Sequence, residues 1–404
     1  MKNITVLGST GSIGVSTLDV VGRRPEQFGV FALVAGSNTA LLAEQIARFR
    51  PRMASVSTDE GRRQLTRKLE ELGLPRSEWP DISPGPVGRV ACAVQPEVDF
   101  VMSAIVGVAG LEATWEAICR GKRVGLATKE VLVASGNLVM EAVRRGDTEL
   151  IHVDSEHNGA HQCFRAGRRE EVARLILTAS GGPFRETPAE RLELVTPAQA
   201  LNHPTWKMGP RITIDSATMM NKGFEVIEAC WLFGLPAKQV DVVVHPQSSI
   251  HAMVEYVDGS VIAQISATDM RMPIQYALTW PERDTAPVPR LDWTEERAWT
   301  FSAPDLGKFP LLGLAYAAQD TGGSATCTLN AADEVAVSAF LREEISYPGI
   351  AWVVRETLER VTVRTPQSIG EVLEIDRESR AVARQVIASM AENAATQYSR
   401  AGTA

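Results

Sequence analysis

The sequence is short of cysteine, carries no surplus of positive charge and has no long apolar run, and each lack removes a class of protein. Five cysteines (Cys92, Cys119, Cys163, Cys230, Cys327) lie far apart in 404 residues, with no Cys-x-x-Cys pair. An odd, scattered set excludes a disulfide framework and a thiolate zinc site. These thiols are expected to be small buried apolar groups. Lys and Arg number 41 against 49 Asp and Glu, a formal charge of −8. Sequence-independent nucleic-acid binding rests on cations that neutralise phosphates, so no nucleic-acid partner is expected. The most apolar stretch, 100–111, is shorter than the ~20 residues that cross a bilayer, so no membrane partner is expected either. Met1-Lys2-Asn3-Ile4-Thr5-Val6-Leu7-Gly8 reads at once as strand and turn, without space for a secretory leader. A cytoplasmic enzyme is the expectation. At ~150 residues per domain the length predicts two or three domains.

Internal repeats and low-complexity tracts are also missing. The first third instead alternates apolar runs with helical spacing. Runs at 4–7, 30–35, 100–106, 124–127 and 151–153 enclose helical patterns such as Ile13, Thr17, Val20 and Val21, and the segment 41–50. This alternation predicts a parallel sheet covered by helices. The middle third has strand-like runs at 175–178, 240–244 and 260–265 between Gly-, Pro-, Ser- and Asn-rich segments, which predicts an α+β unit with long functional loops. Pro281, Pro287 and Pro289 mark a linker. The last hundred residues read as helical. Asn330 is placed as a helix cap before a stripe of Ala332, Val335, Ala336, Ala339 and Phe340. Ala383, Val386, Ile387, Met390 and Ala391 repeat the stripe, and the tail from Thr396 is expected to fray. The predicted architecture is α/β: an N-terminal Rossmann-like parallel sheet (1–153), a central α+β catalytic domain (154–280), a linker (281–303) and a C-terminal helical bundle (304–404).

Five motifs carry chemistry. Gly8-Ser9-Thr10-Gly11-Ser12-Ile13-Gly14 follows a strand and opens a helix. Glycines allow a tight turn and close approach to a pyrophosphate, which the helix N-terminus attracts. The spacing is G-x-x-G-x-x-G, and alone it is as consistent with a plain turn. The second strand ends at Gly36-Ser37-Asn38 without the acidic residue that grips an NAD ribose, which favours NADP. None of the five tyrosines has Lys four residues on, so the short-chain dehydrogenase pair is absent.

Asp154-Ser155-Glu156-His157-Asn158 ends a strand of the sheet. If extended, Asp154 and Glu156 point the same way. Convergent carboxylates repel unless a cation lies between them, and oxygen ligands suit Mg²⁺ or Mn²⁺; the bland alternative is a solvated acidic turn. His157 and His161, four apart, imitate a helical metal pair but are read as solvent-facing or lying behind the ligands. Ser180-Gly181-Gly182-Pro183-Phe184 is an anion nest or an ordinary turn. His203-Pro204-Thr205-Trp206-Lys207-Met208-Gly209 is a lid, or a loop whose Trp plugs the core. Asp215-Ser216-Ala217-Thr218-Met219-Met220-Asn221-Lys222-Gly223-Phe224-Glu225 is the densest. Ser216, Asn221 and Lys222 supply donors for a phosphate, and Glu225 could complete a three-carboxylate metal site.

With His245-Pro246-Gln247-Ser248 and Thr328-Leu329-Asn330-Ala331-Ala332, these motifs resemble, in order and over nearly the whole chain, the 1-deoxy-D-xylulose-5-phosphate reductoisomerase family. The resemblance implies a homodimer that turns 1-deoxy-D-xylulose 5-phosphate, a small phosphorylated sugar, into 2-C-methyl-D-erythritol 4-phosphate. It implies NADPH with Mg²⁺, Mn²⁺ or Co²⁺, in the non-mevalonate isoprenoid pathway. It places Thr10, Gly11, Ser12 and Ile13 on the NADPH phosphates, Gly36, Ser37 and Asn38 at its 2′-phosphate, and Thr128, Glu130 and Gly209 beside the cofactor. Asp154, Glu156 and Glu225 become metal ligands. Lys129, Ser155, Ser180, His203, Ser216, Asn221 and Lys222 become substrate contacts, with Trp206 and Met208 in the lid. Lys129 and His203 join the three carboxylates as the implied catalytic set. Two positions depart from the family pattern: Ser37 stands where many members have a basic residue, and Thr128 where many have Asn. The rival classes are an NADP-dependent semialdehyde or homoserine dehydrogenase and a non-catalytic nucleotide sensor. Neither accounts for three carboxylates beside a phosphate cluster.

Overall fold

The computed structural model describes residues 1–206 and 208–401, with side chains through Met390. The chain opens as β1 (Lys2–Leu7), α1 (Ser12–Gly22), β2 (Phe28–Val34), α2 (Thr39–Phe49), β3 (Met53–Val56), α3 (Asp59–Glu71), β4 (Asp81–Pro84), α4 (Gly85–Val94), β5 (Phe100–Ser103), α5 (Leu111–Cys119), β6 (Arg123–Leu126), α6 (Glu130–Gly146) and β7 (Leu150–His152). The seven strands form one parallel sheet in the order β4-β3-β2-β1-β5-β6-β7. Two strands, β3 and β4, escape the sequence reading: each has four residues, and proline precedes β3 by two positions (Pro51) and β4 directly (Pro80). Both faces of the sheet are covered, so its central strands bury apolar residues on both sides. Ile4, Val6, Leu33 and Met102 are buried in one layer, Leu7, Val34, Val101 and Val124 in the other. Removing such a side chain from water stabilises the fold by ~1.5–3 kcal/mol. Strand order reverses between β1 and β5, and the crevice at the strands' C-terminal ends is where open α/β sheets bind ligands.

The middle of the chain contributes α7 (Ser155–Cys163), β8 (Val172–Ala179), α8 (Pro197–Ala200), α9 (Pro210–Ala217), α10 (Met220–Phe233), β9 (Val240–Val244), β10 (Ile250–Tyr256), β11 (Val261–Ile265) and α11 (Arg271–Thr279). The second sheet runs β11-β10-β8-β9, with β8 and β9 parallel and the other pairs antiparallel. Strand β10 is not among the strands the sequence predicts, because His251 and Glu255 interrupt its apolar run. Helix α11 follows this sheet in sequence, yet Ile274 and Leu278 pack into the first sheet's core. The final helices are α12 (Pro310–Thr321), α13 (Ala325–Leu341), α14 (Tyr347–Arg360) and α15 (Ile369–Ala401). The expected stripe of α13 is buried as read. Asn330 is not a cap: the turn at Gly322 and Gly323, both with positive φ, starts α13 five residues earlier, and Asn330 is buried in its interior. In α15, Ala383 and Val386 are buried. The side chain of Ala391 and residues 402–404 of the expected frayed tail lie outside the described residues.

Candidate active site

The first loop is built as its glycines require. Gly8 adopts φ +88, and a Cβ there or on Gly14 would collide with backbone, of Ala104 and of Gly8 respectively. Helix α1 therefore begins at Ser12, with Gly11 as its cap and its first N–H groups open. Ser12, Ile13 and Ser16 reach the same cavity as the acidic motif, whose volume is ≈ 330 Å³. Thr10 sits half-buried beside them, and Gly36, Ser37 and Asn38 are exposed just past β2. The Asn38 side chain is committed locally, accepting from Leu41 N at 3.2 Å to cap α2. Thr128 Oγ1 donates to the carbonyls of Ser103 (3.2 Å) and Ile105 (2.9 Å), which fixes the turn after β6. Glu130 Oε1 accepts from Gly107 N at 3.0 Å.

Asp154 and Glu156 converge for a different reason than alternation along a strand. Asp154 stands at the N-cap position of α7 without a side-chain cap bond, and Glu156 lies in its first turn, where a helix N-terminus favours carboxylates. Glu225 arrives from α10, and one oxygen of each of the three lies within 4.8 Å of the other two. Cations surround them. Lys129 pairs with Asp154 and lies 3.6 Å from Glu225. Lys222 Nζ lies 2.8 Å from Glu156 Oε1 and also contacts Glu225, to which Asn221 donates at 2.7 Å. Ser155 donates to Glu156. Burial raises the affinity of Glu156 for a proton, but Lys222, Lys129 and the hydrogen bonds win and hold it at about 2. For Glu225, burial and the neighbouring Glu156 charge prevail, and its pKa is raised. Three carboxylates against two ammonium groups leave a negative hole suited to a hard cation.

A second trio, Asp154, His157 and Glu228, also meets the spacing of a metal cluster. His157 and Glu228 are buried behind the cavity and do not line it. Burial holds Glu228 near 8 and His157 near 3, so both are neutral in neutral solution. The open all-oxygen set is the better cation site. His157 is thus not solvent-facing: its Nε2 meets the carbonyl of Glu225 at 2.9 Å, because α7 packs that face inward. His161 is half-buried against Tyr276 and Trp280.

Asn221 shares the cavity wall with the carboxylates, and so do Ser180, Ser216, Trp206 and Met208. His203 organises them. Its Nδ1 accepts from the backbone N–H groups of Thr205 (3.1 Å) and Trp206 (2.9 Å). The proton is thereby assigned to Nε2, which lies 3.1 Å from both Ser180 Oγ and Ser216 Oγ. Trp206 is half-buried on this wall rather than in a core cluster, Gly209 caps α9, and Lys207 lies outside the described residues. Ser248, Met219, His251 and Met270 also line the cavity; the first two lie in motifs that gave them no role, and His251 and Met270 lie in none. Ser248 and Met219 carry positive φ, which no residue-type signal announces.

Parallel sheet, glycine turn and carboxylate cavity together define the class: an α/β dinucleotide-fold enzyme with a site for a divalent cation. Residues 4–136 match the profile of 1-deoxy-D-xylulose 5-phosphate reductoisomerase, 150–233 that of its C-terminal domain, and 265–382 that of a DXP reductoisomerase C-terminal domain. The 1-deoxy-D-xylulose 5-phosphate reductoisomerase of Solibacter usitatus is 65% identical over 386 residues, 96% of this chain and 97% of that protein. The Chlorobaculum tepidum protein of the same name is 49% identical over 96% of this chain and its own full length (100%). The Zymomonas mobilis enzyme in complex with NADPH superposes with a TM-score of 0.88 at 44% identity, covering 96% of this chain and 99% of that one. A DOX-P reductoisomerase in complex with NADPH, fosmidomycin and magnesium gives a TM-score of 0.91 at 38% identity, with coverage of 96% and 99%. The chain belongs to the 1-deoxy-D-xylulose 5-phosphate reductoisomerase family.

Proposed function

We propose that this enzyme rearranges 1-deoxy-D-xylulose 5-phosphate and reduces the product with NADPH to 2-C-methyl-D-erythritol 4-phosphate, as a step of non-mevalonate isoprenoid synthesis. One observation carries the reading: three carboxylates, two lysines and a serine-rich donor wall share one cavity with the open N-terminus of α1. In the rearrangement the C3–C4 bond breaks and the fragments rejoin as a branched aldehyde. A hydride and a proton then convert that aldehyde to the alcohol.

Asp154, Glu156 and Glu225 would hold Mg²⁺ or Mn²⁺, which when bound supplies Lewis-acid polarisation of the substrate's C2 and C3 oxygens. Lys129 and Lys222, freed from their carboxylates, supply positive charge to the substrate. Ser180, Ser216, Asn221, Lys222 and His203 Nε2–H bind the phosphate, whose binding energy is remote from the reacting carbons. Ser155 orients Glu156. The loop 202–209 acts as a lid, with Trp206 and Met208 excluding water from the reactive intermediates. Thr10, Gly11, Ser12 and Ile13 hold the pyrophosphate of NADPH, Gly36 to Asn38 its 2′-phosphate end, and Thr128, Glu130 and Gly209 its nicotinamide side. These roles divide the chain into a cofactor domain (1–153), a catalytic domain (154–280), a linker (281–303) and a helical domain (304–404).

We further propose a homodimer in the cytoplasm. Strand β11 is at the edge of its sheet and exposes Val261 and Ile262, a surface that a second copy would cover. Among the described residues no helix is long and apolar enough to cross a membrane. The reading is tested by following NADPH absorbance with 1-deoxy-D-xylulose 5-phosphate, with and without Mg²⁺. Oxidation that needs all three supports it, and oxidation without Mg²⁺ in chelator rejects the metal assignment.

A further inference from the structure

The motif Thr328–Ala332 has no place in the cavity, yet its Asn330 meets Arg211, a cation that four carboxyl groups surround. Asn330 is fully buried on α13, and its Oδ1 accepts from Arg211 Nη2 at 3.0 Å. The Arg211 side chain is 16% exposed and lies at the start of α9. Its Nη1 is 2.7 Å from Glu130 Oε1 on α6 and 2.8 Å from Glu334 Oε1 on α13, while Asp215 and Asp333 stand 3.5 Å from Nε and Nη2. Glu334 is held in turn by Arg380 of α15 at 2.8 Å.

One guanidinium therefore joins three parts of the molecule. Arg211 follows Gly209 by two residues and Met208 by three, so it anchors the C-terminal end of the loop 202–209. Glu130 is the neighbour of Lys129, which pairs with Asp154. Asn330, Asp333 and Glu334 present one face of the helical unit. Burying these charges is a poor route to stability, since desolvation offsets much of the attraction; what a forked, fixed guanidinium supplies is geometry. Burial and mutual repulsion keep a proton on the Asp215–Asp333 pair, so the four carboxyl groups do not overwhelm the cation.

We propose that Arg211 is a positioning residue for the cofactor half of the reaction. Through Glu130 and the Gly209 end of the lid it sets where the nicotinamide meets the substrate, and Asn330 holds it in that register from the helical domain. The inference rests on the placement of Glu130 and Gly209 beside NADPH given above.

Arg211→Lys keeps the charge but cannot span Glu130, Glu334 and Asn330 at once. Steady-state kinetics in each substrate, paired with melting curves, supply the test. Losing one charge-assisted bond corresponds to ~10-fold or more, so the KM for NADPH is expected to rise by about that factor while the KM for the sugar phosphate moves less than ~2-fold. Asn330→Ala leaves every carboxylate in place and is expected to move the same constant in the same direction. It carries the test if Arg211→Lys fails to fold. Unchanged kinetics in a folded variant, or equal rises in both KM values, overturn the proposal. Wild-type enzyme that does not oxidise NADPH with 1-deoxy-D-xylulose 5-phosphate overturns instead the functional reading beneath it.

Discussion

Glu225→Gln separates metal binding from folding and from cofactor binding. Glu225 is buried and accepts from Asn221 and Lys222, but Lys222 keeps Glu156 at 2.8 Å when Glu225 is neutralised. The loss is therefore that of a weakened charge-assisted contact, ~1–3 kcal/mol, and not that of an orphaned ammonium. Metal binding changes far more, since one of three anionic ligands of a hard cation disappears. A ligand at 100 times its Kd stabilises the native state by ~2.7 kcal/mol. With an unfolding entropy of ~2.1 cal/mol/K per residue over 404 residues, that shifts the melting temperature by ~3 °C. Wild-type protein is expected to show this shift between chelator and saturating Mg²⁺. The variant is expected to show none at the same concentration, with unchanged NADPH binding by fluorescence and turnover lowered by ~100-fold or more. A variant with the full Mg²⁺ shift, or with normal turnover at millimolar Mg²⁺, removes Glu225 from the metal shell.

Trp206→Ala is expected to leave the melting temperature nearly unchanged and to lower kcat; a loss of ~3–5 kcal/mol would place Trp206 in the core. NADPH is expected to give a higher kcat/KM than NADH, and Ser37→Arg to lower the KM for NADPH, because a guanidinium at exposed position 37 meets the 2′-phosphate; a preference for NADH contradicts the assignment. Glu228 is held near 8 by burial, above its ordinary 4.5, so its contribution to stability is complete below about 4.5 and is lost as pH rises through about 8. Denaturant titrations of Glu228→Gln are expected to lack the part of the decline that falls between about 4.5 and about 8, and an unaltered pH profile refutes it.

What the sequence disclosed followed from local spacing. The glycine turn at 8–14, the stripe on α13 and the dense motif at 215–225 announce themselves within one or two helical turns. Asp154 and Glu156 were found through their types, although a helix N-terminus rather than a strand aims them. The buried polar layer was not legible, because its partners are distant in the chain: His157 meets Glu225, and Arg211 meets Glu130 and Asn330. Asn suits a cap position, but Asn330 lies inside α13 and accepts from Arg211, 119 residues away. Strand β10 was missed where polar residues occupy buried positions, His251 among them.

One cavity performs both a cation-dependent rearrangement and a hydride transfer in this reading of the site. The most direct measurement incubates the purified enzyme with 1-deoxy-D-xylulose 5-phosphate, NADPH and Mg²⁺, and compares NADPH consumed with product identified by NMR. One 2-C-methyl-D-erythritol 4-phosphate per NADPH is expected, with no product in chelator and recovery on adding Mg²⁺. NADPH oxidation that yields an unbranched sugar alcohol, or product formed in full without a divalent cation, would contradict it.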